Sequence, residues 1–572
     1  MNARSKALSA LACLSLAACS TPPPPSEDAA TAPDAAMPGD AGTDADVDAA
    51  VRDWPAMTVP SSTTPVPGVS RDVIQIDVDA PPANPTTGMT TPTELNRLQV
   101  VRFHAASGDA PSAVVVAMPG FLGGAASFEG LARELVSSSI ASGAPVEVWA
   151  IDRRSNLLED LRGSDAAEAL GNPDVARGYY FGHETVGGEA FAGFRTQASV
   201  GFMSEWGLAM LVSDVHALIG HIAATDRIGH VFLMGHSLGG TFAETYAAWR
   251  FDDGTTGARE LAGVILVDGS QSGTAISETD YRDGFGSGFM ATAGLDAMRR
   301  SGGDVYFALP VLGVATYVRA DILSLEALLA PDAIVEDRAR EMLLGTLLGL
   351  SPTSVPPMTN EAALGFAFDD ATNGLTFAAV SVGTSTGGPL EPYTSLLGPM
   401  LVHPSDPAAT YDWVDAPDAT PAEVTPYALL AHSWVDGRTN FAEWYFPARL
   451  PLDLAAVAGL DQTDASWQAG EGLRAFDGAA MDAPVLAVAT ELRTAADYEE
   501  SRMRAAPIGP GRVVAEGTLR SDPAAFDILD APALTHVDPV IGPASAANPV
   551  PARVLAFVRA NTASGTITPT LP

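Results

Sequence analysis

Hydrophobic and polar positions change rhythm several times along the chain. Asp72 to Asp79 (DVIQIDVD) and Leu98 to His104 alternate apolar and polar side chains, the period of a strand with one covered face. Ala113 to Met118 (AVVVAM) is a continuous apolar run rich in β-branched residues and ends in Pro119-Gly120, which predicts a strand buried on both faces. Val146 to Ile151, Val231 to Met234 and Val264 to Val267 repeat that pattern. Between them, Ala125 to Ser138, Glu205 to Thr225 and Gly240 to Arg250 predict helices. In the second of these, Leu208, Leu211, Val215, Leu218 and Ile222 share one face. Strand–helix alternation of this kind predicts right-handed crossovers and a mostly parallel sheet with helices on both faces, an α/β architecture.

Past Val267 the strand rhythm lapses. It returns at Pro484 to Ala489 (PVLAVA) and more weakly at Ala525 to Leu529, before a closing helix from Pro551 to Ala560. The stretch between carries long helical segments such as Leu323 to Leu350 and many Gly and Pro breaks. One discontinuous sheet domain is therefore expected, residues 71–269 and 481–572, interrupted by a large, mainly helical cap at 270–480. The cap holds half of the chain's aromatic residues, Phe441, Trp444, Tyr445 and Phe446 among them. Such a cap suits an apolar acyl or aryl substrate, or else its aromatics form its own core. His432, Trp434 and Asp436 are further cap residues placed to approach a site.

The N-terminus is built differently. Arg4 and Lys6 precede an apolar run from Ala7 to Ala18, too short to span a bilayer and suited to the hydrophobic region of a secretory signal. Leu16-Ala17-Ala18-Cys19 resembles the bacterial lipobox. That resemblance implies a lipoprotein signal peptide at 1–18, a diacylglycerol on the sulfur of Cys19, and a protein lipid-anchored in the cell envelope, at the outer membrane or cell surface. Residues 19–70 are rich in Pro, Ala, Asp, Thr and Ser and include Pro22-Pro23-Pro24-Pro25. Chain of this composition cannot bury enough apolar surface to offset the entropy of ordering, so a disordered tether is expected. The other cysteine, Cys13, falls within the signal, so no disulfide is expected in the mature fold.

Charge then removes whole classes of function. The 572 residues include 31 basic and 69 acidic side chains, a formal net charge of −38. A surface this acidic repels phosphate backbones and anionic headgroups, so nucleic acid is excluded as a partner and membrane contact is expected through lipid only. Lys6 is the sole lysine. Schiff-base and pyridoxal chemistry and the lysine of a phosphate-binding loop are therefore absent from the expected mature chain. Histidines are scattered singly and no His-Glu-x-x-His helix occurs, so neither metal nor cofactor is expected.

The chemistry concentrates at Phe232-Leu-Met-Gly235-His236-Ser237-Leu238-Gly239-Gly240, a Gly-x-Ser-x-Gly motif between an apolar strand and a helix. A serine on so tight a turn needs glycines where a β-carbon would clash, and it projects above the sheet at the mouth of the helix. From about residue 71 to the C-terminus the chain resembles the α/β-hydrolase fold. The resemblance implies a serine hydrolase working through an acyl-enzyme, with Ser237 as nucleophile, and it separates the chain from the fold's dehalogenases and epoxide hydrolases, which attack through aspartate. It also implies an oxyanion hole made by the backbone amides of Leu238 and Phe121. Phe121 lies in Pro119-Gly120-Phe121-Leu122-Gly123-Gly124, similar to the family's His-Gly-x-x-Gly loop with proline in place of the histidine.

The general base implied by the family's chain order is His536, in Thr535-His536-Val537-Asp538-Pro539 after the last strand. His236 is expected to point into neighbouring structure, and His216, His221 and His230 to pack in core elements. The acid is less direct. The position most relatives use, counted from Pro484, lands on Arg493, which cannot serve. A second family pattern places the carboxylate at the end of the sixth strand, which selects Asp268, with Glu491 as the alternative acid and Asp497 behind it. Arg153 and Arg154 follow the fourth strand and are expected to pair with Glu159 and Asp160 or to bind a substrate carboxylate. The expected activity is hydrolysis of a small-molecule carboxylic ester. An amidase, peptidase or acyltransferase would use the same triad, and a non-catalytic surface binding protein would keep the same scaffold.

Overall fold

The structure, a computed structural model, describes residues 52–56, 66–286, 291–308, 313–394, 400–419, 423–435 and 438–572. The expected signal, Cys19, most of the tether and Asp436 lie outside the described residues.

Eight strands form the central sheet: β1 (Val69–Asp77), β2 (Arg97–Ala105), β3 (Ala113–Met118), β4 (Val146–Asp152), β5 (Val231–His236), β6 (Gly263–Val267), β7 (Val485–Ala489) and β8 (Phe526–Asp530). Their spatial order is β1-β2-β4-β3-β5-β6-β7-β8. β1 and β2 are antiparallel to their neighbours, and every pairing from β4 to β8 is parallel. Every residue of β3, β4, β5, β6 and β7 is buried, as continuous apolar runs covered on both faces require. β1, at the edge, is only partly covered, with Arg71 and Ile76 buried and Asp72, Gln75 and Asp77 exposed. In the register of β5 with β6, His236 faces Val267, so the residues that follow each strand emerge side by side.

The helices that cover the sheet include α1 (Glu129–Ala141), α2 (Leu208–Ile219) and α3 (Leu238–Ala247). The single helix expected over 205–225 is broken instead. A 3-10 turn at Gln197–Glu205 precedes α2, and a separate helix at Ala224–His230 follows it. Asp453 of the cap causes the first break by accepting the N–H of Leu208 at 2.9 Å. It sits where a β-carbon on Gly207 would be, 2.1 Å away.

The cap contains α4 (Ala315–Leu329), α5 (Arg338–Leu347), α6 (Asn360–Phe368) and α7 (Tyr427–Val435). The expected helix over 323–350 is thus two helices. The chain breaks at Pro331, and Asp337 caps α5 through the N–H of Ala339 at 2.8 Å. Two antiparallel ribbons, Gly383–Thr386 with Asp412–Asp415 and Leu390–Thr394 with Met400–Pro404, add β structure to the helical cap. A second excursion, with helices at Arg162–Leu170 and Asp174–Phe181, leaves the sheet after β4 and joins the cap. Arg177 pairs there with Glu326 and Asp337, and Ser164 donates to Asp321 at 3.2 Å. After the cap, α8 (Ala495–Arg504) and α9 (Val550–Asn561) complete the layers.

The expected tether needs one correction. Asp53–Trp54 pairs as a strand with Thr185–Val186, and Trp54 is only 8% exposed. Its indole lies under Arg52 and donates to Glu184, so one tryptophan gives this stretch the apolar anchor that the rest of the tether composition lacks.

Candidate active site

Ser237 follows β5 and precedes α3 with φ 57° and ψ −124°, a conformation that costs an L-residue roughly 1–3 kcal/mol. The surroundings leave no alternative. Its N–H donates to Val267 at 2.8 Å, tying the turn to the end of β6. A β-carbon on Gly235 would lie 1.9 Å from the Gly239 carbonyl, one on Gly239 2.1 Å from that of Met118, and one on Gly269 1.8 Å from that of Ser237. Gly235 and Gly239 are the glycines the motif predicts. Gly269 carries no motif of its own, because the serine turn it crowds lies next to it only in space.

Asp268 leaves β6 beside this turn, itself at φ 47°. The Nδ1–H of His536 donates to its Oδ2 at 2.5 Å, and both side chains are buried. The N–H of Arg493 donates to Oδ1 at 2.7 Å and that of Leu492 to Oδ2 at 3.3 Å. Burial pushes the Asp268 carboxyl up, but the hydrogen bond and charge of His536, together with the Arg493 N–H, outweigh it and hold the group below the usual carboxylate range. Of the three candidate acids, this one meets the histidine. Asp497 is spent at the start of α8, where it closes a capping box by accepting the N–H and hydroxyl of the N-cap Thr494 at 2.7 and 2.8 Å. Arg493 serves this carboxylate through its backbone.

His536 is held from behind. The Nε2–H of His236 donates to the His536 carbonyl at 2.8 Å, and the two rings lie 4.5 Å apart at 34°. Burial and the neighbouring His536 push the His236 imidazole down to about 3, so it is neutral at working pH. Asp538 fastens the same loop, accepting the N–H of Thr535 at 3.0 Å, the hydroxyl of Thr425 at 2.8 Å and the N–H of Ser381 at 3.1 Å. The last two belong to the cap. His216 and His230 are engaged elsewhere, with Glu260 and the Ser112 carbonyl.

The loop carrying Phe121 runs directly over the serine, and a β-carbon on Gly120 would lie 2.8 Å from that of Ser237. Among the described residues, neither the Phe121 nor the Leu238 N–H is taken up by a backbone carbonyl. Leu238 opens α3, where the first amides have no intrahelical acceptor. The Phe121 ring packs edge-on against Phe307, Phe377 and Phe446 of the cap at 4.9, 5.8 and 4.9 Å.

Arg153 corrects an expectation. It pairs neither with Glu159 nor with Asp160, and it does not line the cavity above Ser237. Its guanidinium donates to the carbonyls of Pro119, Gly120 and Gly123 at 2.6, 3.0 and 3.0 Å, and to Glu443 at 2.8 Å. Glu443 is fixed in turn by the hydroxyl of Ser155, and its N–H donates to Leu122 at 2.7 Å. Arg154 pairs with Asp214, Glu159 accepts from Asn440 and the Trp444 N–H, and Asp160 accepts from Tyr179. No sequence signal foretold the Arg153–Glu443 pair.

Ser237, His536 and Phe121 line one cavity, roofed by the cap through Tyr317, Phe368, Trp434 and Phe441. The cap aromatics thus divide between the two expected roles. Trp434 and Phe441 face the cavity. Trp444 packs against Tyr180 and Phe194, and Tyr445 against Tyr306. His432 is not in the lining. Among the described residues, no group of three or more His, Cys, Asp or Glu side chains is arranged to hold a metal ion.

The strand order, the parallel β3–β8 block and the glycine-crowded serine turn after β5 define the α/β-hydrolase fold. No protein-family model matches the sequence, and no curated protein matches it. Among solved structures, the chain is similar to a candidate lipase from Sulfolobus solfataricus, at 13% identity over 88% of this chain and 98% of that one, with a TM-score of 0.43. It is also similar to a peroxisomal α/β-hydrolase from Saccharomyces cerevisiae, at 9% identity over 89% and 94% with a TM-score of 0.35. An α/β-hydrolase fold protein from Nakamurella multipartita gives 14% identity over 85% and 99%, with a TM-score of 0.30.

Proposed function

We propose that the protein is an exported, lipid-anchored serine hydrolase that cleaves carboxylic esters through an acyl-enzyme. The observation that carries the reading is the buried His536–Asp268 pair at 2.5 Å, whose histidine lines one cavity with a serine held at positive φ. Ser237 Oγ attacks the ester carbonyl as His536 Nε2 takes its proton, and Asp268 keeps the imidazole in the tautomer with Nδ1 protonated. The Phe121 and Leu238 amides receive the oxyanion. His536 then protonates the departing alcohol oxygen. In the second half, His536 takes a proton from water, the resulting hydroxide attacks the acyl carbon, and Ser237 leaves with the proton returned. The uncharged, aromatic-rich lining suits an apolar acyl or aryl substrate.

A fluorophosphonate probe tests the chemistry. The intact protein should take one adduct, on Ser237, and His536→Ala should slow its formation by orders of magnitude. No adduct, or an adduct on another serine, contradicts the reading. Export and anchoring rest on Leu16-Ala17-Ala18-Cys19 after a short apolar run. Labelled palmitate should enter the protein in a bacterial host and be lost in Cys19→Ala; label that persists in the variant contradicts the anchor.

A further inference from the structure

The cavity above Ser237 is apolar almost throughout, yet polar side chains of the cap line it; besides Thr316 these are Tyr317, Asn373 and Trp434. They are 5%, 1% and 5% exposed, and the Tyr317 hydroxyl, Asn373 Nδ2 and Trp434 Nε1 have no hydrogen-bond partner among the described residues. Buried donors are nearly always matched to acceptors, because a donor stripped of water and left unpaired destabilises the fold.

These groups are held in place. The Oδ1 of Asn373 accepts the N–H of Leu375 at 2.8 Å, which settles which end of the amide is oxygen and leaves Nδ2 as the unmatched end. The Trp434 indole is packed against Phe368 at 5.2 Å and Phe441 at 4.9 Å. Tyr317 sits on α4, where burial and the charges of Glu443 and Glu159 push its phenol well above the usual range, so it keeps its proton. All three present N–H or O–H donors. The lining holds no arginine, aspartate or glutamate, and its two histidines are engaged with Asp268 and the His536 carbonyl, so no cation in it is given over to an ionic ligand.

Resting on the esterase reading, we propose that the acyl group this site accepts is uncharged and oxygen-bearing: an apolar chain or ring whose carbonyl, ether or hydroxyl oxygens accept from Tyr317, Asn373 and Trp434. A plain hydrocarbon acyl group fills the same volume but leaves all three donors buried and unpaired. An oxygenated one matches them, and a site built to hydrogen-bond an oxygen discriminates against the analogue that lacks it. An acyl carboxylate is excluded for want of a cation.

The test is a matched series of p-nitrophenyl esters: the decanoate, and analogues in which each methylene in turn is replaced by an ether oxygen or a carbonyl. At one or more positions kcat/KM should exceed that of the decanoate by about tenfold or more. Tyr317→Phe, Asn373→Leu and Trp434→Phe should each lower that ratio by about three- to tenfold, the worth of one neutral hydrogen bond. The ratio does not depend on how much of a variant folds. A decanoate that outperforms every analogue, or variants that leave the ratio unchanged, overturns the proposal. Calorimetric binding of the corresponding non-hydrolysed primary amides to the Ser237→Ala chain separates the two readings. A preference for oxygenated amides, with no ester turnover by the intact chain, sinks the esterase and keeps the polar pocket. No preference among the amides overturns the polar pocket alone.

Discussion

Arg153 and Glu443 form a buried ion pair at 2.8 Å between residues 290 positions apart in the chain. The guanidinium also holds three carbonyls of the loop that carries Phe121. Cap and Phe121 loop are therefore one mechanical unit. Burial pushes the Glu443 carboxyl up to about 7 even against the lowering effect of Arg153.

Glu443→Ala leaves that guanidinium buried without its carboxylate. Loss of about 3–5 kcal/mol is expected in urea unfolding. Turnover of a p-nitrophenyl ester should fall by about 10²-fold in the fraction that stays folded, the worth of one misplaced oxyanion donor. A variant unchanged in rate would show that the loop holds its position without the cap.

The acid is separable by substitution. Asp268→Asn keeps the shape but forces the wrong tautomer on His536, and kcat should drop by about 10⁴-fold. Glu491→Gln should stay within a few-fold of the parent. Asp497→Ala should cost about 1 kcal/mol of stability through the lost capping box of α8 and little activity. Steady-state kinetics on the three variants checks this ordering.

Alkaline conditions should weaken the cap. Burial, reinforced by Asp165, pushes Asp321 up to about 8 against the hydrogen bond from Ser164. In the unfolded chain it titrates at an ordinary value near 4, so between those limits the folded protein binds more protons and stability falls as pH rises. Asp321→Asn keeps a partner for Ser164 and does not titrate. It should be more stable than the parent at pH 9 by more than about 1 kcal/mol and flatten the decline from pH 5 to 9 in thermal unfolding.

On the acid side, His236 has the opposite effect. Its imidazole stays neutral in the fold down to about 3 but is protonated in the unfolded chain from about 6.5, so stability falls as pH drops through that window. His236→Phe should remove this part of the acid limb. It should also lower kcat through loss of the N–H that supports the His536 carbonyl. Unfolding curves at pH 4 and 7 for both proteins measure the difference.

How much of this was legible in the sequence depended on how local each cause is. The buried strands announce themselves as apolar runs, and Ser237 is marked by glycines two residues either side. His536 and Asp268 sit at strand ends whose order along the chain follows the fold. What the sequence did not reveal depends on distant partners. The start of α2 is set by Asp453, 245 residues away from Leu208. Arg153 read as a partner of Glu159 and Asp160 or of a substrate carboxylate, because the carboxylate that binds it arrives from the cap. Trp54 lay in a stretch whose average composition hid one anchoring side chain. The excursion after β4 was missed because its short helices bury their faces against the cap and carry no long periodic run.

The central claim is that Ser237 is the nucleophile, and the most direct test is the initial rate of p-nitrophenyl ester hydrolysis by the intact protein and by Ser237→Ala at matched folded concentration. The account predicts a loss of at least about 10⁴-fold with unfolding behaviour nearly unchanged. Turnover that survives the substitution at a comparable rate would contradict it.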